Sequence, residues 1–534
     1  MKKYSNTRRA IILKFFLLIF LLQTYNIANN LTISNLSVIG QNINEHFSLI
    51  KFTIAWENSW RSDIPGNGYN QPFNWDAAWI FIKFRINNGE WKHAYINDSG
   101  HFIPSGSAIS LGLLDRHIEF DPINNPALGV FIFKDVNGTG SNNFQDVCLR
   151  WNYGINGVND NDLVDVKVFA IEMVKVTEGS FYLGSGGNET AHFYEYPTTT
   201  LPYLITGEQA INVGQTNGNL FYDSSATGAA GDQNGPIPLN FPKGFDAFYC
   251  MKYELSQNGY VEFLNTLSRT QQNTRTATSL PLGLTSVTNR YVMSNSTTVS
   301  YRNGIRCDSN IPANEPIIFY CDLNANGIEN ENNDGQNIAC NFVSWADISA
   351  YLDWSCLRPM TELEFEKACR GNAPPVQNEY SWGNTTIFQN TGINNPGSEI
   401  ESGVNNSNCI YLDHPSVQGP MRVGCFATIN STRITSGASF YGIMEMSGNL
   451  YEHSITVGNI KGRSYTGIHG DGMLSSIGEN NTQFWPGIDA EGDGRRGGNW
   501  FTFQSNLPTS NRFFAALIKS GRKNVYGIRG VRTN

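Results

Sequence analysis

Residues 442–453, GIMEMSGNLYEH, contain the most informative pattern of the chain. The central Ser-Gly-Asn predicts a tight turn, because Gly and Asn tolerate backbone conformations that other residues avoid. Glu445 and Glu452 flank this turn and place one carboxylate on each side of it. A tight turn exposes carbonyl oxygens, and carbonyl and carboxylate oxygens are the ligands that calcium prefers. The stretch therefore predicts a calcium site built on a turn, with a hydrated surface turn as the alternative.

Further motifs accompany this turn along the chain. They are MVKVTEGSFYLGSG (173–186), RPMTELEFEKACRG (358–371), RRGGNWFTF (495–503) and GIRGVR (527–532). Together they resemble the formylglycine-generating enzyme or sulfatase-modifying-factor family across residues 173–534, with Phe365 where the family hallmark has tryptophan. The resemblance implies an α+β domain with a fold similar to C-type lectins, little regular secondary structure and stabilisation by calcium.

The resemblance also implies which residues hold calcium. At one family site the matching positions are the side chains of Glu445 and Glu452 and the carbonyls of Gly448 and Leu450. At a second site the matches are Asn408, the carbonyl of Cys409 and Asp413.

A third calcium site is predicted from the residues themselves. Asp322, Asn324 and Asn326, followed by Gly327, match the first half of a calcium loop, D-x-N-x-N-G. The twelfth position of that loop is Asn333 and lacks the usual carboxylate. A hydrated Asn-rich turn is the alternative.

Copper is not expected. The formylglycine-generating enzyme oxidises a cysteine of a substrate peptide with copper(I), held by two cysteines five residues apart after the R-G-G-x-W motif. Counted from that motif, the two positions are Thr502 and Leu507, and no cysteine follows Cys425. Copper(I) requires soft thiolate ligands, which a hydroxyl and an isobutyl group do not replace. The sequence therefore predicts that the chain is not an active oxidase of this kind.

Residues 499–526 are rich in Asn, Ser, Arg and aromatic residues and lie between two family motifs. Such side chains suit adaptable recognition, and we expect a ligand-binding face with Asn499, Trp500, Thr502 and Arg512 as candidates. Arg512 also matches a family arginine, which favours a structural role. An enzyme with altered oxidase or other chemistry in the same cleft is the alternative, although no G-x-S-x-G motif marks a nucleophile.

Local patterns predict three helices in residues 173–534. Ser256 precedes an apolar face of helical period and is a candidate N-cap. A second helix is expected after Ser344, and Thr361 with Glu364 forms the capping-box pattern of a third. Residues 187–240 and 268–340 are polar and are predicted to be surface insertions.

Residues 29–172 are expected to form a separate β-sandwich domain. Runs such as FSLIKFTIAW and AAWIFIKFRI are rich in β-branched and aromatic residues and are separated by turn signals. Six tryptophans are concentrated here: Trp56, Trp60, Trp75, Trp79, Trp91 and Trp151. They are interpreted as core packing, with a sugar-stacking platform as the alternative.

Residues 1–28 have the pattern of a secretory signal peptide, with basic residues before an apolar run that is too short to span a bilayer comfortably. A membrane anchor is the alternative. Removing the five basic residues of this segment takes the formal net charge from -9 to -14. An acidic surface repels phosphate backbones, so nucleic-acid binding is not expected.

The sequence thus predicts a secreted, periplasmic or cell-surface bacterial protein with no transmembrane segment after signal cleavage. Its nine cysteines form no CxxC motif, and their pairing is left open. We expect a calcium-stabilised binding or structural module whose partner is a surface protein or a glycan.

Overall fold

The computed structural model describes residues 30–62, 73–224 and 228–533. The predicted signal peptide over residues 1–28 lies outside the described residues. The strands of the N-terminal region are β1 (Thr32–Asn42), β2 (Phe47–Arg61), β3 (Asp76–Ile86), β4 (Lys92–His93), β5 (Ser107–Leu113), β6 (Ala127–Lys134), β7 (Gly138–Trp151) and β8 (Val164–Val176).

The strands that follow are short, as the resemblance implied. They are β9 (Phe181–Leu183), β10 (Tyr194–Glu195), β11 (Tyr203–Ile205), β12 (Leu220–Phe221), β13 (Phe248–Met251), β14 (Ile305–Arg306), β15 (Tyr320–Cys321), β16 (Arg358–Pro359), β17 (Ile393–Asn394), β18 (Ser402–Gly403), β19 (Glu452–Ile455), β20 (Asp493–Arg496) and β21 (Gly530–Arg532). The helices are α1 (Gln257–Leu264), α2 (Arg269–Arg275), α3 (Trp345–Trp354), α4 (Glu362–Arg370), α5 (Arg433–Ser436) and α6 (Ile460–Arg463), with a 3-10 turn at Gln504–Asn506. The α+β class with an N-terminal region of antiparallel sheets is confirmed.

Two antiparallel sheets face each other in the N-terminal region. The smaller one has the strand order β1-β2-β7. In β2, buried residues alternate with half-exposed ones, and Ile50, Phe52 and Ile54 point into the apolar layer between the sheets. Ile80 and Ile82 of β3 contribute to the same layer from the other sheet. Alternation with period two is what a half-buried antiparallel strand requires.

Strand β3 differs because both of its faces are buried. Residues 76–84 are all buried, as expected for a strand whose sheet is covered on both sides. Trp79 and Phe81 point away from β2 into the main core, which contains residues of the C-terminal region. Phe81 meets the ring of Trp354, at the end of α3, edge to face with centroids 5.0 Å apart.

The larger sheet continues from the N-terminal strands into the family motifs. Its order is β5-β6-β3-β8-β13-β21-β16, and β4 pairs with β3. Val174 of β8 pairs with Cys250, which in turn pairs with Val531 of the closing motif. The predicted division between residues 172 and 173 falls within β8, and the division into domains stays a prediction.

The local helix signals are confirmed. Ser256 caps α1 through Gly259 N–H, and Thr361 with Glu364 forms a reciprocal capping box on α4. Helix α2 was missed inside the stretch 268–340, which is less superficial than predicted. The apolar residues of the stretch 268–340, among them Val292 and Phe319, are scattered without helical or strand periodicity but contribute to the main core.

The core interpretation of the tryptophans is largely correct. Trp56, Trp75, Trp79 and Trp151 are buried. Trp91 is half-buried beneath the cations of Arg85 and Lys167. Within the described ranges, every helix is too short or too polar to cross a bilayer.

Candidate functional site

The turn at residues 442–453 has the tight geometry that its sequence predicts. Gly448 has a φ of +89°. A Cβ at this position would lie 2.5 Å from Cys409 Sγ and 2.7 Å from the carbonyl oxygen of Ile410. Only glycine fits this conformation and this close approach. Glu452 is the first residue of β19, which pairs with β20, the strand that ends with Arg495 and Arg496.

The closing motif supplies the partner of Glu452. Arg529 Nε donates to Glu452 Oε1 at 2.6 Å, and both groups are buried. The other guanidinium nitrogens of Arg529 donate to the carbonyl oxygens of Met251 and Met444, each at 2.8 Å. Arg529 therefore ties the turn to strand β13 and is satisfied without solvent.

Glu445 is not compensated in the same way. Its Oε1 accepts a 2.7 Å hydrogen bond from Gly424 N–H, and its buried Oε2 has no partner. Burial raises the pKa of Glu445 to about 7. The carboxylate thus has one free oxygen in a dry environment, where a charge is unfavourable without a cation.

A third carboxylate, from Glu254, joins these two and was not foreseen. Glu254 Oε1 accepts a 2.9 Å hydrogen bond from Leu450 N–H, and its Oε2 accepts from the side-chain amide of Asn449. Burial, followed by the charge of Glu452, raises the pKa of Glu254 well above its usual range. Glu254 lies about 190 residues upstream of the turn, and no local pattern in the sequence links the two.

One observation indicates that these residues fit calcium: the buried Oε2 atom of Glu445 has no hydrogen-bond partner. In the described part of the chain, no three His, Cys, Asp or Glu side chains could hold a metal ion by themselves. A calcium ion at this turn would therefore take main-chain carbonyls as well, as the resemblance implies for Gly448 and Leu450. The site stays a prediction.

The second family site is a hydrogen-bonded pair of loops. The side-chain oxygen of Asn408 accepts from Phe388 N–H at 2.8 Å. The carbonyl oxygen of Cys409 accepts from Asn390 N–H at 2.8 Å. Each oxygen has a further lone pair, so calcium at this position also stays a prediction.

The two family thiol positions have quite different surroundings. Leu507 is fully buried and packs in an aromatic cluster with Tyr380, Trp382 and Tyr411. Thr502 is half-exposed, and its hydroxyl donates to the carbonyl oxygen of Asn499 at 3.1 Å. The leucine acts as a packing residue, and the threonine hydroxyl closes a local turn.

One thiol does lie in the cluster around Leu507. Cys409 is buried there, and its Sγ donates to the carbonyl oxygen of Ser447 at 3.3 Å. Burial raises the pKa of this thiol far above neutral. All nine cysteines are buried and free, and no cysteine pair forms among the described residues. Cys409 is a lone, protonated thiol.

The predicted ligand-binding face needs a correction. Asn499, Trp500 and Arg512 are buried, so they do not present a surface. Trp500 Nε1 donates to the carbonyl oxygen of Asn524 at 3.0 Å. Arg512 pairs with the buried Glu362, with Nε 2.7 Å from Oε2. Polar and aromatic residues here satisfy one another inside the fold, which a composition pattern does not reveal.

The exposed part of this segment borders a cleft of about 510 Å³. Its lining includes Asn188, Glu189, Asn378, Tyr380, Gln504 and Ser505. Gln504 Nε2 donates to the Tyr380 hydroxyl at 2.8 Å, and Glu189 Oε2 is buried without a partner. Phe503, next to Gln504, is 70% exposed. Amides, a hydroxyl and a carboxylate beside an exposed ring can bind a polar ligand.

Another pairing that the sequence did not reveal is His453 with Asp493. His453 Nδ1 lies 2.8 Å from Asp493 Oδ2, and both residues are buried. Burial lowers the pKa of His453, although Asp493 opposes this shift. The pair joins neighbouring strands β19 and β20, 40 residues apart in sequence, and neither residue lines the cleft.

The chain is similar to a known protein family. A model described as a sulfatase-modifying factor enzyme 1-like domain matches residues 218–534. A comparison with curated proteins found no match.

Proposed function

The chain belongs to the sulfatase-modifying factor enzyme 1-like family, and we propose that it is an exported, calcium-stabilised binding module that does not act as a copper-dependent cysteine oxidase. Its ligand is a polar molecule at the bacterial surface, in the first place a glycan, with a surface protein as the alternative.

The replacement of both family thiol positions carries this proposal. Thr502 and Leu507 offer a hydroxyl and an alkyl group, neither of which binds copper(I) as a thiolate does. Leu507 also packs against aromatic side chains, so this position is part of the apolar core. The lone Cys409 thiol lacks a second sulfur and is held protonated by burial.

The cleft lined by Gln504 and Glu189 supports a binding role. Planar amides and carboxylates pair well with sugar hydroxyls, and aromatic rings stack on apolar sugar faces. Gln504 and Glu189 supply polar groups to the cleft, and Phe503, the neighbour of Gln504 in sequence, has an exposed ring. Glu189 Oε2 lies buried at the cleft without an internal partner, so a donor group of a ligand that reaches it would satisfy it.

Calcium and export have separate support. The free oxygen of Glu445 beside Glu254 and Glu452 favours a bound divalent cation. The signal-peptide pattern of residues 1–28 supports export.

The binding proposal is tested on an array of bacterial surface glycans, probed with the full chain in calcium. We expect selective retention that Gln504→Ala and Phe503→Ala each weaken by about tenfold, since a few central contacts dominate binding. Phe484→Ala is the matched control, because Phe484 is also exposed, at 53%, but is not adjacent in sequence to a residue of the cleft, whereas Phe503 adjoins Gln504. Retention that is equally sensitive to all three substitutions would place the ligand elsewhere.

A further inference from the structure

The loop that follows strand β15 folds back on its first carboxylate. Asp322 is fully buried. Its Oδ2 accepts a 3.1 Å hydrogen bond from Gly327 N–H and forms an ion pair with Arg306. Gly327 has a φ of +85°, which provides the sharp bend needed at the sixth position of a calcium loop. Asn324 and Asn326 lie between these two residues.

Asp334 closes the loop from its other end. Its Oδ2 accepts a 2.6 Å hydrogen bond from Glu331 N–H, and its carbonyl oxygen accepts from Leu323 N–H at 3.2 Å. Asp334 is therefore fixed against the residue that follows Asp322. The sequence pattern pointed to Asn333 as the closing residue, but the structure brings its neighbour to this position.

Each of the two aspartates has one carboxylate oxygen without a partner. Asp322 and Asp334 are each 0% exposed, and the Oδ1 atom of each has no hydrogen-bond partner. A buried carboxylate oxygen without a partner is destabilising, and natural structures seldom contain two side by side without an ion or a water to satisfy them.

The charge around the loop points to a cation. Asp322, Glu331 and Asp334 carry negative charge, and Arg306 pairs with Asp322 alone among them. The hydrogen bond from Leu323 N–H to the Asp334 carbonyl oxygen holds the two aspartates close together, so their carboxylates repel each other when both are charged. A cation between the two aspartates would remove this repulsion.

We propose that the loop 322–334 binds one calcium ion, with Asp322 and Asp334 as its two carboxylate ligands. Amide and carbonyl oxygens of the intervening Asn-rich turn complete the shell. An all-oxygen, irregular loop suits calcium, because magnesium demands near-ideal octahedral geometry and zinc favours nitrogen or sulfur. The site is separate from the turn at residues 442–453 and does not depend on the proposed surface ligand.

The test uses calcium-free full chain titrated with terbium, which occupies oxygen sites and luminesces when an aromatic side chain lies close. Tyr291 is in place for this, because its hydroxyl donates to the carbonyl oxygen of Asp322 at 3.3 Å. The titration is done in a Glu445→Gln background, which removes a charged ligand from the candidate site at residues 442–453. We expect a saturable signal that calcium displaces.

Asp334→Asn removes the charge and keeps the shape, so it should weaken terbium and calcium binding by at least about tenfold. Glu329→Gln is the matched control, since Glu329 is an exposed acid of the same loop, and it should bind within about twofold of the parent. Far-ultraviolet circular dichroism checks that each variant is folded.

If Asp334→Asn does not fold, Asn324→Ala provides a second test at an exposed position of the same loop. It should also weaken binding. A terbium signal that calcium does not displace would overturn the proposal. So would a variant, Asp334→Asn or Asn324→Ala, that binds as tightly as the parent and the Glu329→Gln control.

Discussion

The indole nitrogen of Trp79 donates a 2.9 Å hydrogen bond to the carbonyl oxygen of Ser355. Trp79 belongs to the N-terminal strand β3, and Ser355 is the C-cap of α3 in the family domain. The guanidinium of Arg532, from the closing motif, lies 4.4 Å from the centre of the Trp79 ring. The N-terminal sheet and the family motifs therefore share one core.

Because Trp79 is fully buried at this junction, Trp79→Ala should lower the free energy of unfolding by about 3–5 kcal/mol. The whole chain should respond as one unit, since the contact belongs to both regions. Urea unfolding followed by circular dichroism and by limited proteolysis measures this. Trp91→Ala, at a half-exposed position, is the control and should have a smaller effect. Two separate transitions, with only the N-terminal one shifted, would show that the junction is not shared.

Glu445 predicts a specific pH dependence of the calcium-free protein. Its pKa is about 7 in the folded state, against an ordinary value of 4.5. The folded protein therefore holds a proton that the unfolded chain releases between these values. The stability linked to this group is present at low pH and is lost as pH rises through about 7, by up to about 3 kcal/mol.

The comparison with Glu445→Gln isolates this effect, because Gln does not titrate. In chelator, the unfolding free energy of the wild type should fall relative to that of the variant as pH rises from 5 to 7.5. Saturating calcium should abolish this shift, since a bound cation keeps the carboxylate ionised. A difference that is independent of pH in chelator would contradict the burial of an uncompensated Glu445.

The pair Glu452–Arg529 predicts a loss of stability that is present even without calcium. Glu452→Gln leaves a fully buried guanidinium without its counter-charge, so unfolding free energy should fall by about 3–5 kcal/mol. Arg85→Gln breaks an exposed pair with Asp165 and is the control, expected to cost less than about 1 kcal/mol. Thermal melts in calcium and in chelator measure both. Equal effects of the two substitutions would contradict the buried pairing.

The parts of the fold that the sequence predicted are those with local signals. The capping box at Thr361 and the turn at Gly448 depend on residues within a few positions of each other. Strand β7 has no local strand signal in its first half, because GTGSNN has turn composition and pairs with β2 only through long-range contacts.

The candidate sites were only partly predictable for the same reason. Glu254 reaches the turn from the segment between β13 and α1, and the carboxylate partner of Arg512 lies 150 residues away in sequence. The resemblance located the turn at residues 442–453 and the positions Thr502 and Leu507. It did not reveal that Asn499, Trp500 and Arg512 are buried, because polar residues in a buried network look like surface residues in sequence.

The most direct test of the central claim is oxidation of a cysteine-containing peptide by the full chain, with copper(I) titrated anaerobically before oxygen is admitted. Thr502 and Leu507 predict no copper-dependent oxygen uptake and no conversion of the peptide thiol. Turnover that requires copper and is lost in Cys409→Ser would contradict the account, since it would assign the remaining thiol of the Leu507 cluster to catalysis.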